Sequence, residues 1–247
     1  MKTMTMGKTI AVGVALLALC APALAGGPRH YGRASSRAAD YRMGARLHIG
    51  VFTPDGKSEF FDDTAQIFTG SADGFEDTSL TADLEWALSP TSVVVFSVGR
   101  FEGSQSQAYL DFVDEFGADI RHRSSLRISP MTVGLNYFLG GPSRSVRPFV
   151  GIGAGLYLWR YREVGDFIAF GPTPADDEVY VDALESDGTT VGYYLAAGID
   201  FRISPMTSLF IESRWHEASD ELADDFDGFG TLDLSGRDLS FGLAWRF

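Results

Sequence analysis

Six stretches of the chain alternate apolar and polar side chains with the two-residue period of an extended strand, and two more read as strands on other grounds. The last, residues 237–247, sets Leu239, Phe241, Leu243, Trp245 and Phe247 on one face and Ser240, Gly242, Ala244 and Arg246 on the other. The first, 42–52, sets Met43, Ala45, Leu47, Ile49 and Val51 against Arg42, Gly44, Arg46, His48 and Gly50. In 79–88, Leu80, Leu84, Trp86 and Leu88 oppose Asp83 and Glu85, and a β-branched run at 93–101 reads as a third strand whose facing is ambiguous. Residues 148–162 put Val150, Ile152, Leu156 and Leu158 opposite Gly151, Gly153 and Gly155, whose missing side chains make room for bulky interior neighbours. Stretches 190–202 and 208–216 complete the set, with Tyr194, Asp200, Arg202, Glu212, Arg214 and His216 on the polar side.

The remaining strand is a matter of counting. The pentapeptide Ile-Ser-Pro-Met-Thr occurs at 128–132 and at 203–207, and two turns there would give nine strands. A closed antiparallel sheet with both ends of the chain on one side needs an even number. The fourth strand is therefore expected to run through Pro130, over 124–139, with a local bulge. Connections then alternate: short at Ser89, Gly140 and Ser204, long at 53–78, 102–119, 163–187 and 217–233.

The 28 glycines and 19 phenylalanines among 247 residues suit sheet and turns better than helix bundles. No apolar run long enough for a membrane-spanning helix follows the amino terminus. Lys2 and Lys8 precede an apolar segment, 10–19, and Ala23-Leu24-Ala25 offers the small residues of a cleavage site, so residues 1–25 read as an export signal. Cys20, the sole cysteine, leaves with it, and no disulfide is expected. Residues 26–41 lack an apolar period and read as a polar periplasmic arm. The net charge is −13, and loss of Lys2 and Lys8 makes it more negative. Nucleic acid, which needs a basic surface, is excluded as a partner.

These features together resemble the eight-stranded outer-membrane β-barrel family, the OmpA/OmpW-like group. The stretch Arg147-Pro148-Phe149-Val150-Gly151-Ile152-Gly153-Ala154-Gly155 is similar to a strand of that group, and so is the ending on Phe247. The resemblance covers residues 42–247. It implies an all-β, eight-stranded antiparallel up-and-down transmembrane β-barrel with short periplasmic turns and long acidic external loops, in the outer membrane of a Gram-negative-type bacterium. It also implies insertion by the barrel-assembly machinery, with Trp245 and Phe247 in the assembly signal.

Charge is sorted along the strands. The long connections hold 27 of the 33 acidic residues and a single basic one, Lys57. Arg100, Arg121, Arg123, Arg160, Arg162 and Arg237 fall where strands leave the outer leaflet, at the height of lipopolysaccharide phosphates. Guanidinium forks suit phosphate, so outer-membrane lipids and lipopolysaccharide are expected partners. The simpler reading of the acids is a solvated surface. Inside, Arg42, Arg46, Arg202, Arg214 and Arg246 meet Asp83, Glu85, Asp200 and Glu212. A barrel this narrow holds only its own side chains, and the set is expected to form an ion-pair plug, the alternative being a conducting pore.

His216, beside Glu217 and near Ser213 and Ser219, raises the question of a Ser-His-acid hydrolase, but no nucleophile-elbow sequence accompanies it. Asp224-Asp225-Phe226-Asp227-Gly228 lacks EF-hand spacing, and no metal or cofactor is expected. Tyr109, Phe112, Val113 and Phe116 recur at helical spacing and predict a short helix in the second long connection. The expected role is a non-enzymatic structural or surface-interaction protein of the envelope. The alternative is a narrow channel or carrier for small ions or apolar compounds.

Overall fold

The computed structural model describes residues 42–141, 144–173 and 177–247; the export signal and polar arm expected over 1–41 lie outside the described residues. Among the described residues ten strands form: β1 (Met43–Pro54), β2 (Asp77–Ala87), β3 (Ser92–Val113), β4 (Asp119–Phe138), β5 (Val146–Ala169), β6 (Glu178–Arg202), β7 (Thr207–Glu217), β8 (Ser219–Glu221), β9 (Thr231–Asp233) and β10 (Gly236–Arg246). Eight of them close a barrel in the order β1-β10-β7-β6-β5-β4-β3-β2, with β1 and β10 antiparallel at the seam. The short β8 and β9 pair separately.

Two-residue alternation sets the barrel's two surfaces. Leu47, Leu84, Val133, Ile152, Leu195, Ile211 and Phe241 point outward and are exposed, an apolar belt that only lipid covers. Arg46, Asp83, Asn136, Tyr194, Asp200, Glu212 and Ala244 point inward and are buried. The inward glycines have the expected role. A Cβ on Gly153 would overlap the Tyr194 ring, and one on Gly151 would overlap Asn136 Oδ1.

Pro130 lies inside β4, as parity requires, but without the expected bulge. The β3–β4 register is the same at Val98↔Met131 and at Phe101↔Ile128, and Pro130 stays opposite Tyr157 of β5. Gly99 provides the room, since a Cβ there would touch Pro130 Cγ at 3.0 Å. The one register shift of the β3–β4 pair lies instead between Ala108 and Val113.

Four strands are longer than expected. The connections read at 102–119 and 163–187 are largely strand, so β3–β6 continue above the lipid belt as a tall four-stranded sheet. From Arg160 to Ala169, β5 rises about 30 Å at about 3.3 Å per residue. No helix forms around Phe112; the long helix is in the first connection, α1 (Glu59–Ile67). There Phe60 and Phe61 are buried, while Glu59 and Asp62 occupy the first turn, where the helix dipole favours negative charge.

Candidate functional site

The barrel interior has two chemically distinct tiers. The lower is ionic. Arg46, fully buried, lies 2.7 Å by its Nε from Glu85 Oε1, and its terminal nitrogens reach Glu212 at 3.7 Å and Asp200 at 3.8 Å. The Phe149 and Phe210 rings hold its guanidinium at 4.8 and 4.6 Å, distances suited to cation–π contact. Asp200 also accepts hydrogen bonds from Arg147 at 3.1 Å and Arg246 at 2.8 Å. One layer higher, Arg214 bridges Glu212 at 2.7 Å and Asp83 at 3.7 Å over the Tyr194 ring, and His48 Nε2 lies 2.8 Å from Asp83.

The structure thus brings together Arg46, Asp83, Glu85, Asp200, Glu212, Arg214 and Arg246, with Arg202 partly exposed at the same end. Arg42 does not join them. It is exposed at the rim of the wall, just ahead of β1, where its backbone carbonyl accepts the Ala87 N–H at 2.8 Å. The reading missed Arg147 and Asp238, both buried in the interior, where Asp238 accepts a hydrogen bond from Ser79. Face parity with Gly151 and with Ser240 would have found them.

The upper tier is aromatic. Phe60 of α1 meets Tyr161 at 5.1 Å, Tyr161 meets Phe226 at 5.3 Å, and Phe52 meets Phe101 at 4.7 Å, ring to ring. Leu126, Leu222, Leu232 and Leu234 complete this core, so the first and last connections fold over the barrel mouth. Trp159 Nε1 donates to Asp220 at 2.8 Å and fastens β8 to the wall. Between the tiers a cavity of about 30 Å³, room for about one water, is lined by Phe52, Ser79, Tyr157, His216 and Asp238.

Higher on the tall sheet, His122 is buried between Phe68 at 4.5 Å and Phe167 at 5.2 Å, and both of its ring nitrogens lack a hydrogen-bond partner. Desolvation lowers its pKa to about 4. Burial also raises the pKa of neighbouring Glu163, although Tyr161 and Ser124 donate hydrogen bonds to it.

Outside the sheet, above the lipid belt, Arg100 and Arg127 share Glu102 at 2.8 and 2.9 Å. Arg160 and Arg162 share Glu185 at 3.3 and 3.8 Å, Arg121 pairs with Asp119 at 2.5 Å, and Arg123 donates to Ser104. Arg237 lies on the outward face of β10, opposite Trp215. At the carboxy terminus Trp245 and Phe247 point to the lipid side, and Phe247 exchanges backbone hydrogen bonds with Met43 at 2.9 and 3.2 Å.

His216, the interior His48 and the acidic turn at 224–228 each have defined partners. His216 Nδ1 is 2.9 Å from the Tyr157 hydroxyl rather than beside Ser213 or Ser219. His48 lies between Ser240 at 3.4 Å and Asp83 at 2.8 Å, all three buried within the ionic tier. Asp225 of the acidic turn accepts the backbone N–H of Glu185 at 2.9 Å. Among the described residues, no three His, Cys, Asp or Glu side chains converge in a metal-binding arrangement.

A family model described as the outer membrane protein beta-barrel domain matches residues 11–247. The chain belongs to this family. That membership, with the apolar belt, puts the barrel in the outer membrane. Curated proteins give no match. Among solved structures the chain is similar to the outer membrane protein OprG of Pseudomonas aeruginosa, at 13% identity and TM-score 0.50, over 84% of this chain and 96% of that one. It is also similar to a major outer membrane protein from Thermus thermophilus, at 13% identity and TM-score 0.47, over 84% and 100%. A third is neisserial surface protein A, at 11% identity and TM-score 0.47, over 83% and 96%.

Proposed function

We propose that this outer-membrane barrel is a non-enzymatic, non-conducting surface-interaction protein that displays the tall β3–β6 sheet outside the cell. The observation that carries the reading is the filled interior. Arg46, with its three carboxylate neighbours, spans the lower tier, and the aromatic core lies over the mouth above it. An ion would have to displace buried pairs at a cost of several kcal/mol each. Planar-bilayer recording of the purified protein tests this: a silent membrane is expected, and steady ion-selective steps would favour the narrow-channel alternative.

The same reading makes lipopolysaccharide a lateral partner. The outer arginines engage Glu102, Asp119, Glu185 and Asp187 through exposed pairs, which contribute little and exchange readily with phosphate. Replacing Arg121, Arg123, Arg160 and Arg162 together should weaken co-purification with lipopolysaccharide; unchanged association would end the idea.

A further inference from the structure

Above the lipid belt the four-stranded sheet has two edges, and they are treated differently. Along β3 the first connection covers the edge: Thr69 N donates to Ala108 O at 2.9 Å, Ala108 N donates to Thr69 Oγ1 at 3.1 Å, and Phe68 bridges Tyr109. Along β6 the neighbour β7 ends where Tyr193 pairs with Glu217. Further out, Ser186 and Glu185 are held by side-chain contacts with Ala223 and Asp225. Among the described residues, nothing pairs with the edge from Glu178 to Leu184.

That edge has the composition natural proteins avoid on an open strand. Val179 and Val181 are exposed on the outer face, Val181 at 77%, and Tyr180 is exposed on the inner face. The backbone is oriented to receive a strand. Glu185 N–H turns away from β5 to Asp225, and Ala183 N–H turns to Asp182. The β5–β6 register is unbroken, so by alternation the N–H and C=O groups of Val179 and Val181 also face outward. On the inner face, Glu178 and Asp182 flank the run.

We propose that the Glu178–Leu184 edge of β6 binds an extended segment of a basic polypeptide by strand addition. Main-chain hydrogen bonds to Val179 and Val181 would give affinity, and alternating side chains would give selectivity. Apolar groups of the added strand cover Val179 and Val181 on the outer face, while lysine or arginine meets Glu178 and Asp182 on the inner one. The charge also argues against a second copy of this chain, which would bring like carboxylates together at the same edge. This inference rests on the surface-interaction reading and names its partner class.

The test uses the full chain in lipid nanodiscs and an alternating Lys-Val heptapeptide with blocked ends. The peptide should bind, and the same peptide with Glu for Lys should not. Val181→Pro removes an outward N–H while sparing the β5 ladder, a position where proline is tolerated, and should lower affinity about tenfold or more. Heat-modifiable gel mobility checks that the variant folds. If it does not, peptides N-methylated on every valine or on every lysine serve with the wild-type chain, and at least one must lose binding. No binding by the wild type, binding indifferent to both Val181→Pro and N-methylation, or a β6-dependent dimer in place of peptide binding would each overturn the proposal. Ion conduction would overturn the underlying reading instead, so the two failures are distinguishable.

Discussion

Arg46 and Glu85 form a buried ion pair, 2.7 Å apart, at the centre of the lower tier, and the same guanidinium also faces Asp200 and Glu212, which Arg147, Arg246 and Arg214 contact from other sides. Arg46→Ala removes the cation that three carboxylates face. Breaking one side of a buried pair costs about 3–5 kcal/mol, because the partner charge stays behind. The urea midpoint of the barrel in detergent should fall accordingly, and ion conductance should appear in planar bilayers. A midpoint within error of the wild type would mean that Glu85 and Glu212 are compensated by other groups.

The close approach of Gly153 to Tyr194 makes a second, steric prediction. A β-branched side chain at Gly153 would push the Tyr194 ring off Arg214, which sits 4.5 Å above it. Gly153→Val should destabilise by about 1–3 kcal/mol, as overpacking generally does. Gly141→Ala, at a turn where an added Cβ meets nothing, should leave the midpoint unchanged. Equal effects of the two substitutions would remove the packing account.

How much of this was legible follows from where lipid lies. Between the two membrane surfaces one face must be apolar, so two-residue alternation is enforced, and the interior positions of Asp83, Asp200 and Glu212 could be read directly. Above the lipid that constraint ends. The run from Glu178 to Asp187 alternates poorly and reads as loop, yet it is strand, held by the β5 ladder. The helical spacing of Tyr109, Phe112 and Phe116 coincides with the register shift between Ala108 and Val113, which offsets a strand's alternation and imitates a helix. The helix α1 was hidden because it buries only the adjacent pair Phe60 and Phe61, too short a stripe to show a 3.6-residue period. Arg147 was hidden by its place between a turn and Pro148, although its parity puts it inside.

His122 gives the tall sheet a pH dependence. Its folded pKa, about 4, lies below the ordinary 6.5, so the opened state binds the proton more readily between those values. Its contribution is therefore complete above pH 6.5, declines as pH falls, and reaches its lower limit near pH 4. At about 1.4 kcal/mol per pH unit the swing is at most about 3 kcal/mol, and solvent screening reduces it. Glu163, with its pKa raised, acts in the opposite sense, so the informative quantity is the difference between wild type and His122→Phe. The protection of the Gln107 and Ser124 amides, taken as the exchange rate relative to the intrinsic rate at each pH, should fall between pH 6.5 and 4 in the wild type more than in the variant. Identical profiles would exclude His122 as the source.

Phe247 separates assembly from stability. Its backbone closes the seam with Met43, while its ring is more than half exposed on the lipid side and packs little of the interior. Phe247→Ala keeps both seam hydrogen bonds, and a lipid-facing truncation of this kind should move the urea midpoint by less than about 1 kcal/mol. If the ring belongs to the signal read by the barrel-assembly machinery, the loss should appear in cells instead. The variant should refold in detergent as the wild type does, yet reach the outer membrane at a several-fold lower level. Trp245→Ala, one outward position earlier, should act in the same direction, and the pair should be worse than either alone. Normal outer-membrane levels for the double variant would show that delivery depends on other parts of the closing strand.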